Sequence, residues 1–472
     1  MIGRDKEKQE LLDAYHSECS EFVAVYGRRR IGKTFLIRET FDYQFTFQHS
    51  GNSHAPMEKQ LEAWLASLKN CGWKGEKIPA SWIEAFSMLN ELIKASRRKR
   101  KVVFIDEMPW MDTPRSFFVS ALEYFWNNMA SARKDVLLIV CGSATSWVIN
   151  KIIKNHGGLH NRVTRQIQLL PFTLDECERY ANSMKLAFDR YAIIKGYMVF
   201  GGVPYYWSLL KKGLSIDQNI DTLVFNPTGR LHGEFEELYD SLFRSPDDYI
   251  KVVTVLGRIK IGMTREELIE KGKITNNGKL SKILGDLEYC GFIRKYRAIG
   301  SAKYKAMYQL MDNFTLFHFK FVRENKTNDP DFWMHSIDTP IYNAWNGLAF
   351  ERVCFQHIAQ IKQALGISGV QTNVFAWQVE ASGKNNPGAQ IDMVIDRDDH
   401  VANLCEMKFA DEEYCLTLSD DKSLRHKKNR LLEVLPKRKS IFVTLVTPYG
   451  LTPNVYAGNI QNDISVNELF AF

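Results

Sequence analysis

The sequence predicts a multidomain α/β protein, and three observations support that prediction. At 472 residues the chain is too long for one ordinary core, so about three domains are expected. Hydrophobic residues make up 45% of the chain and charged residues 25%, as in soluble globular proteins. The apolar pattern also changes along the chain, from buried-strand runs to a helix pair with a hairpin, and then to a small mixed α/β region.

In the first segment, short apolar runs alternate with long amphipathic stretches. The runs are FVAVYG (22–27), KVVFIDE (101–107) and VLLIVCGSA (136–144). Runs that are apolar throughout suit parallel strands that helices cover on both faces. We therefore expect a domain with a parallel sheet at 1–175, followed by a helical lid region at 176–245.

The segment 246–325 predicts a winged helix-turn-helix. TREELIEKG opens with a capping box, in which Thr264 is followed three residues later by Glu267. A second helix follows, because NNGKLSKILGDLEYCGFI has leucines and isoleucines at helical spacing. The next stretch, IRKYRAIGSAKYKAMYQLMD, has two alternating runs about a Gly-Ser turn, which indicates a hairpin.

Basic residues on the helix and hairpin of this segment are candidates for contact with DNA phosphates. They are Lys279 and Lys282 on the second helix, and Lys295, Arg297, Lys303 and Lys305 on the hairpin. Asp286 and Glu288 dilute the positive face of the helix. Packing against protein is therefore the alternative to DNA contact.

The segment 335–472 predicts a small mixed α/β domain. A helix around WNGLAFERVCFQHIAQIKQAL is followed by strands near 373–380, 390–396 and 401–408. A basic helix near 420–435 and a strand at SIFVTLVT complete the pattern. If the lid region is counted with the first domain, the sequence thus predicts three domains, and each has a different pattern of helices and strands.

A phosphate-binding loop is indicated between the first strand and the first long helix. The pattern G-x-x-x-x-G-K-T lets backbone N–H groups close around phosphates, while its lysine reaches the β- and γ-phosphates and its threonine offers a hydroxyl to Mg²⁺. The helix N-terminus that follows adds the positive end of its dipole. Eight consecutive residues form this candidate site: Gly27, Arg28, Arg29, Arg30, Ile31, Gly32, Lys33 and Thr34.

Two acids end the second apolar run and complete this candidate site. Asp106 can hold Mg²⁺ through water, and the adjacent Glu107 can polarise the attacking water. Ser143 at the end of the third run is a candidate sensor of the γ-phosphate. Arg162, or Arg165 close to it, is a candidate charge-stabilising finger, with a surface arginine bound to a carboxylate as the alternative.

A second candidate site lies in QIDMVIDRDDHVANLCEMKFA, where charged residues interrupt two apolar strands. If these strands form a hairpin centred near Asp399, Asp392 lies across from Glu406, with Cβ atoms about 5 Å apart. Strand alternation then places Lys408 on the same face as Glu406. Carboxylates this close suit Mg²⁺ or Mn²⁺, and Lys408 can orient a metal-bound water. A purely structural salt bridge of Lys408 is the alternative.

Six motifs in order resemble the archaeal-type ATPase family of the AAA+-related (STAND) branch of P-loop ATPases. They are GRDKEKQELL, GRRRIGKT, FIDEMPW, GSATSWV, the L-x-x-R…I-x-L-x-PF stretch and GGVPYYW. The resemblance implies ATP binding, slow or regulated hydrolysis, a winged helix and a C-terminal domain related to PD-(D/E)XK nucleases. The Asp392 and Glu406-x-Lys408 strands resemble that restriction-endonuclease-like core, although the proline before the aspartate is absent. The resemblance implies that Glu351 in GLAFE completes the metal site.

The leading hypothesis is an ATP-driven protein that acts on DNA, with ATP and Mg²⁺ at the first site and Mg²⁺ or Mn²⁺ at the second. The alternatives are a nucleotide-dependent switch or scaffold that binds a protein partner, and a regulator that acts through the winged helix. The net charge of +7 permits DNA as a partner without requiring it. Whether the chain forms a homo-oligomer is left open.

Other classes of protein are disfavoured by the sequence. No run reaches the roughly 18 apolar residues of a membrane helix, and the N-terminus lacks the apolar core of a signal peptide. The eight cysteines form no CxxC pairs, so neither a zinc site nor a disulfide framework is expected. These features favour a cytoplasmic protein.

Overall fold

The structure, a computed structural model, describes residues 1–243, 245–297, 299, 306–325, 327, 329–381, 387–436 and 438–471. The chain divides into two compact units. The first unit comprises residues 1–171 with 240–244, and the second comprises residues 172–239 with 245–472. Each unit has its own large sheet.

The first unit is built on a five-stranded parallel sheet with the order β2-β3-β4-β1-β5. Its strands are β1 (Glu21–Tyr26), β2 (Phe47–Ser50), β3 (Lys101–Asp106), β4 (Val136–Gly142) and β5 (Arg165–Gln168). Its helices are α1 (Asp5–His16), α2 (Lys33–Thr40), α3 (Met57–Asn70), α4 (Trp82–Ala95), α5 (Phe118–Phe125) and α6 (Thr145–Trp147).

Both faces of this sheet are buried, as the apolar runs predict. On β1, Phe22 and Ala24 pack into one hydrophobic cluster, while Val23 and Val25 pack into another on the opposite face. This alternation follows from the two-residue period of a strand. The prediction of a parallel sheet covered on both faces is therefore confirmed. The short strand β2 was not predicted as such, because its residues alternate between buried and exposed instead of forming an apolar run.

The rest of the chain contains fourteen α-helices and eight strands among the residues that the structure describes. The helices are α7 (Leu174–Ser183), α8 (Arg190–Phe200), α9 (Pro204–Ser208), α10 (Ile216–Ile220), α11 (Glu234–Leu242), α12 (Pro246–Leu256), α13 (Arg265–Gly272), α14 (Gly278–Tyr289), α15 (Asn313–Phe317), α16 (Phe332–Ser336), α17 (Pro340–Gln356), α18 (Ile358–Ala364), α19 (Leu418–Leu432) and α20 (Val466–Leu469). The strands are β6 (Met263–Thr264), β7 (Ile293–Arg297), β8 (Ala306–Leu310), β9 (Thr372–Val379), β10 (Ala389–Arg397), β11 (Val401–Met407), β12 (Ser440–Val446) and β13 (Asn462–Ile464).

A small antiparallel sheet with the order β6-β8-β7 accompanies helices α12 to α14 in the second unit. Strand β6 lies between α12 and α13, whereas β7 and β8 follow α14. The capping box of α13 is present, since the Thr264 side chain accepts a hydrogen bond from the backbone N–H of Glu267. Asp286 does not lie on the exposed face of α14, where it was expected to reduce the positive charge. It is buried, and it accepts a 2.6 Å hydrogen bond from the hydroxyl of Tyr249. The predicted contact residues Lys303 and Lys305 lie outside the described residues.

A larger mixed sheet with the order β13-β12-β11-β10-β9 forms the C-terminal part of the second unit. Strands β9, β10 and β11 are antiparallel neighbours, whereas β11, β12 and β13 run parallel. Parallel strands need a long crossover connection, and α19 lies in the connection between β11 and β12. The assignments of 176–245 to a lid, 246–325 to a winged helix and 335–472 to a nuclease-like domain stay predictions.

The register of β10 and β11 agrees with a hairpin centred near Asp399. Met393 pairs with Cys405 and Val394 with Leu404. Continuing this register by one residue sets Asp392 opposite Glu406. A bulge between Ile391 and Val394 interrupts the pairing of β10 with its other neighbour, β9.

The single helix predicted around residues 345–365 is in fact two helices, α17 and α18, separated at His357. His357 has φ −112° and ψ 30°, and its Nδ1–H donates to the carbonyl of Val353 at 2.8 Å. Its Nε2 accepts a 3.0 Å hydrogen bond from the backbone N–H of Leu174. Burial lowers the pKa of His357 to about 4, so the ring is neutral and able to accept. This tertiary hydrogen bond holds the break in place.

None of the helices in the described part of the chain combines the length and apolar character that crossing a membrane requires. All eight cysteines are free thiols.

Candidate functional site

The predicted phosphate-binding loop connects β1 to α2, and its glycines are required by its geometry. Gly27 has φ 146° and Gly32 has φ 88°, in the region that L side chains rarely adopt. A Cβ atom at Gly27 would also lie 2.3 Å from the carbonyl oxygen of Leu169. The loop can therefore keep this conformation only with glycine at these positions.

Lys33 is folded back over the loop. Its side chain is buried, and its Nζ donates 2.9 Å hydrogen bonds to the carbonyl oxygens of Gly27 and Arg28. Arg28 and Ile31 are buried, and Arg29 and Arg30 are half-buried. An ammonium group held at the centre of the loop is well placed to bind the phosphates of a nucleotide.

Thr34 and Asp106 meet at the carboxyl end of the sheet. The Thr34 hydroxyl donates a 2.6 Å hydrogen bond to Oδ2 of Asp106. The other carboxylate oxygen of Asp106 accepts a 2.6 Å hydrogen bond from the thiol of Cys141. Burial, together with the carboxylate of Asp106, raises the pKa of Cys141, so this thiol keeps its proton and donates. The structure thus brings together both residues predicted to serve Mg²⁺ in this unit.

Glu107 turns away from β3 toward the end of β4. Its backbone is left-handed, with φ 48°, and its Oε2 accepts hydrogen bonds from Ser143. The Ser143 hydroxyl donates at 2.8 Å and the Ser143 backbone N–H donates at 3.1 Å. The candidate sensor and the candidate water-polarising acid are therefore direct partners.

The two arginines proposed as fingers lie at the start of β5 and just before it. Arg165 is the first residue of β5 rather than a residue before it, and it pairs with Val23 in the sheet. Its guanidinium lies 3.6 Å from the carboxylate of Glu21, as the structural alternative predicted. Three residues separate it from the carboxyl end of β5, which is about 10 Å of strand. Arg162 precedes β5 and is exposed, and its role as a finger stays a prediction.

The second unit contains a cavity of about 540 Å³ into which the predicted acids of β10 and β11 face. Glu351 of α17 lines the same cavity, as does Lys408 just after β11. The three carboxylate residues Glu351, Asp392 and Glu406 are buried. We call this cavity with its three carboxylates the carboxylate pocket.

Two lysines that the sequence analysis did not single out neutralise the carboxylate pocket. Lys260 Nζ lies 2.5 Å from Oε1 of Glu351 and 2.9 Å from Oδ1 of Asp392. Lys427 Nζ on α19 lies 2.7 Å from Oε1 of Glu406. The basic run around residue 427 is a sequence signal from which Lys427 could have been found. Lys260 has no such signal, because it lies 132 residues from Asp392 in the sequence and no sequence pattern connects the two.

The electrostatics of the pocket reflect buried charge. Burial and the neighbouring carboxylate of Asp392 raise the pKa of Glu351 to about 7 and that of Glu406 to about 7. Burial opposes the charge on Lys260, but Asp392 and Glu351 outweigh it and raise the pKa of the ammonium. Glu351 and Glu406 therefore hold their protons more tightly than surface carboxylates do, and a cation close to them favours their charged form.

In this arrangement the carboxylates of the pocket are paired with lysine ammonium groups. Among the described residues, no group of three or more His, Cys, Asp or Glu side chains is placed to hold a metal ion. Lys408 makes no ion pair with the residues that the structure describes, so the structural alternative in which it bridges Glu406 or Asp392 is not observed. Lys260 and Lys427 form the ion pairs with these carboxylates instead.

Comparison with known proteins bears on the first unit. Residues 1–208 match the family model of an ATPase domain predominantly from Archaea. An uncharacterized protein of Methanocaldococcus jannaschii is 22% identical over 427 residues, which cover 87% of this chain and 88% of that protein.

Two solved structures are similar to the chain at low sequence identity. The Walker-type ATPase of Pyrococcus abyssi has a TM-score of 0.49 and 15% identity, covering 68% of this chain and 96% of that one. The ORC2 protein of Aeropyrum pernix, in its ADPNP–ADP complexes, has a TM-score of 0.42 and 13% identity, covering 68% and 92%.

The family match spans the loop, the acids that end β3 and the serine that follows β4. Less than half of the chain is matched, and the second unit lies mostly beyond it. The first 208 residues are therefore similar to the archaeal ATPase domains, and the parallel five-stranded sheet of the first unit matches the fold of a P-loop ATPase domain.

Proposed function

We propose that the first unit binds ATP together with Mg²⁺ and hydrolyses it. The observation that carries this proposal is the 2.6 Å hydrogen bond between the Thr34 hydroxyl and the Asp106 carboxylate. It joins the last residue of the loop to the acid that ends β3, which are the two groups that P-loop enzymes use for the metal.

The residues present fit a magnesium nucleotide. The loop supplies backbone N–H groups and the N-terminus of α2 for the phosphates, and Lys33 can exchange its carbonyl partners for phosphate oxygens. Thr34 and Asp106 would hold Mg²⁺, directly and through water. When bound, Mg²⁺ neutralises charge that develops on the phosphate oxygens.

Hydrolysis at this site needs a water that attacks the γ-phosphorus while the bond to the bridging β-oxygen breaks. Glu107 orients this water and accepts its proton, so that ADP and inorganic phosphate leave. Ser143 holds Glu107 by two hydrogen bonds, and it therefore positions the carboxylate.

Replacing Lys33 by alanine should weaken ATP binding by about ten- to a hundredfold, because a hydrogen bond to a charged group contributes about 1.5–3 kcal/mol. Titration calorimetry with ATP and Mg²⁺ measures this change. Lys59→Ala is the matched control, since Lys59 is exposed on α3 and pairs only with Glu62 at 2.8 Å among the described residues. Equal affinity in Lys33→Ala and the native chain would refute the proposed site.

As a second candidate function, we propose that the carboxylate pocket supports metal-dependent cleavage of DNA. The observation that favours it is the register of β10 and β11, which sets Asp392 beside Glu406 within a cavity that Lys408 also lines. Asp392 and Glu406 would hold the cation, and Glu351 would be a third oxygen donor. The cation, when bound, lowers the pKa of a bound water and steadies the scissile phosphate.

Asp392→Asn and Glu406→Gln should each abolish DNA cleavage in Mg²⁺ or Mn²⁺, because an amide replaces a charged ligand of a hard cation. Supercoiled, linear and single-stranded DNA are the substrates, and gel electrophoresis measures the products. Asp399→Asn is the matched control, because Asp399 pairs with Arg397 on the turn of the same hairpin. If the native chain leaves every form of DNA intact with metal and ATP, the alternative of a partner-binding scaffold takes the place of this function.

A further inference from the structure

Lys260 stands in the carboxylate pocket although it belongs to a distant part of the chain. It lies in the connection between α12 and β6, and its ammonium contacts Glu351 and Asp392 together. One positively charged group that bridges two buried carboxylates occupies the place that a divalent cation would need. The two cannot be there at once, because like charges at contact distance repel strongly in a buried site.

The backbone at Lys260 is held in place by hydrogen bonds. Its carbonyl oxygen accepts a 2.6 Å hydrogen bond from Nε2 of Gln309 and another from the guanidinium of Arg352. Arg352 is buried on α17 next to Glu351, and its Nε also donates to the carbonyl of Leu310 at 3.1 Å. The connection is therefore tied to the helix that carries one of the carboxylates.

The side chain of Lys260 has a route out of the pocket. It is 35% exposed, whereas the side chains of Glu351 and Asp392 are 6% and 9% exposed. With the backbone held, the ammonium can leave by rotation about its own side-chain bonds, and the connection need not move. Lysine side chains have the flexibility that this requires.

We infer that Lys260 determines whether the carboxylate pocket takes a divalent cation: its ammonium is a resident competitor that must swing out before the metal enters. This inference rests on the cleavage function proposed for the pocket. Lys427 differs from Lys260 because it pairs with Glu406 alone, and Lys408 makes no ion pair with the described residues. Among the three lysines of the pocket, Lys260 is thus the one that bridges two of the carboxylates.

The test is Mn²⁺ binding to the full-length chain without nucleotide, measured from the electron paramagnetic resonance signal of free Mn²⁺. Every chain carries Asp106→Asn, so that the first unit contributes no metal ligand there. Lys260→Met should bind Mn²⁺ at least about tenfold more tightly than the parent, while Lys260→Arg, which keeps the charge, should stay weak. Adding Asp392→Asn to Lys260→Met should remove the gain.

Lys422→Met is the matched control, because it removes one positive charge from an exposed position on α19, next to Ser423 of the cavity lining, without removing a carboxylate partner. The affinity of this variant for Mn²⁺ should change by less than about threefold if occupancy rather than overall charge decides. Equal gains in Lys260→Met and Lys422→Met would overturn the inference and leave the metal site standing. Equal Mn²⁺ binding by the parent and Lys260→Met would also overturn the inference. The metal site itself would still stand if Asp392→Asn abolishes this binding. If no chain binds Mn²⁺ through Asp392, the proposed cleavage function fails, and this inference fails with it.

Discussion

Glu107→Gln should lower the rate of ATP hydrolysis by about a hundred- to ten-thousandfold, which is the range for loss of a general base. Glutamine keeps the shape of the side chain and can still accept from Ser143, but it cannot take a proton from the attacking water. Binding of ATP should stay within about threefold of the native value, since Lys33 and the loop are unchanged. Release of phosphate under saturating ATP and Mg²⁺ measures the rate.

Two further variants make this result specific. Glu91→Gln is the matched control, because Glu91 is an exposed acid of the first unit that pairs with Lys94 at 2.8 Å. Ser143→Ala should cause a smaller loss of rate, since it removes the hydroxyl donor but keeps the backbone N–H that also holds Glu107. If Glu107→Gln hydrolyses ATP at the native rate, another residue activates the water and the role given to Glu107 is wrong.

Gly202→Ala should lower the free energy of unfolding of the second unit by about 3 kcal/mol or more, at the upper end of the cost of overpacking. A Cβ atom there would lie 1.8 Å from the carbonyl oxygen of Phe172 and 2.7 Å from its carbonyl carbon. The backbone of Phe172 cannot yield easily. Its N–H donates to Gly202 O at 2.6 Å, and its carbonyl accepts a 2.9 Å hydrogen bond from the hydroxyl of Tyr197.

Gly285→Ala is the matched control for Gly202→Ala and should change stability in the opposite direction. Gly285 lies inside α14, and nothing stands within 4 Å of the position that a Cβ atom would take. Alanine there should stabilise by about 0.5–1 kcal/mol, because glycine loses more backbone entropy on folding. Urea unfolding followed by circular dichroism compares the two variants, and a Gly202→Ala chain as stable as the native one would contradict the close contact.

The sequence predicted the loop of the first unit well because its residues are consecutive. Gly27 and Lys33 belong to one short pattern, and the strand before it and the helix after it are marked by their own local periodicities. The pairing of β10 with β11 was predictable for a similar reason. A short turn fixes the register of a hairpin, so the position of Asp392 relative to Glu406 follows from counting residues along the chain.

The break in the helix predicted around residues 345–365 has its cause in a contact between segments far apart in the sequence. The helix that breaks at His357 has continuous helical periodicity in sequence, and only the hydrogen bond to the N–H of Leu174 favours the break. The helix propensities of neighbouring residues carry no information about hydrogen-bond partners that are distant in the sequence.

The sequence by itself determined where the glycine- and lysine-containing loop lies between β1 and α2 and which residue of β11 faces Asp392, because both depend on short stretches of the chain. Only the tertiary structure decided what neutralises the acids of the carboxylate pocket. Lys260 reaches Glu351 and Asp392 through the packing of the α12–β6 connection against α17. An ion pair between positions so far apart leaves no periodic signal, since the charge of a buried carboxylate can be balanced by any cation that the fold brings near.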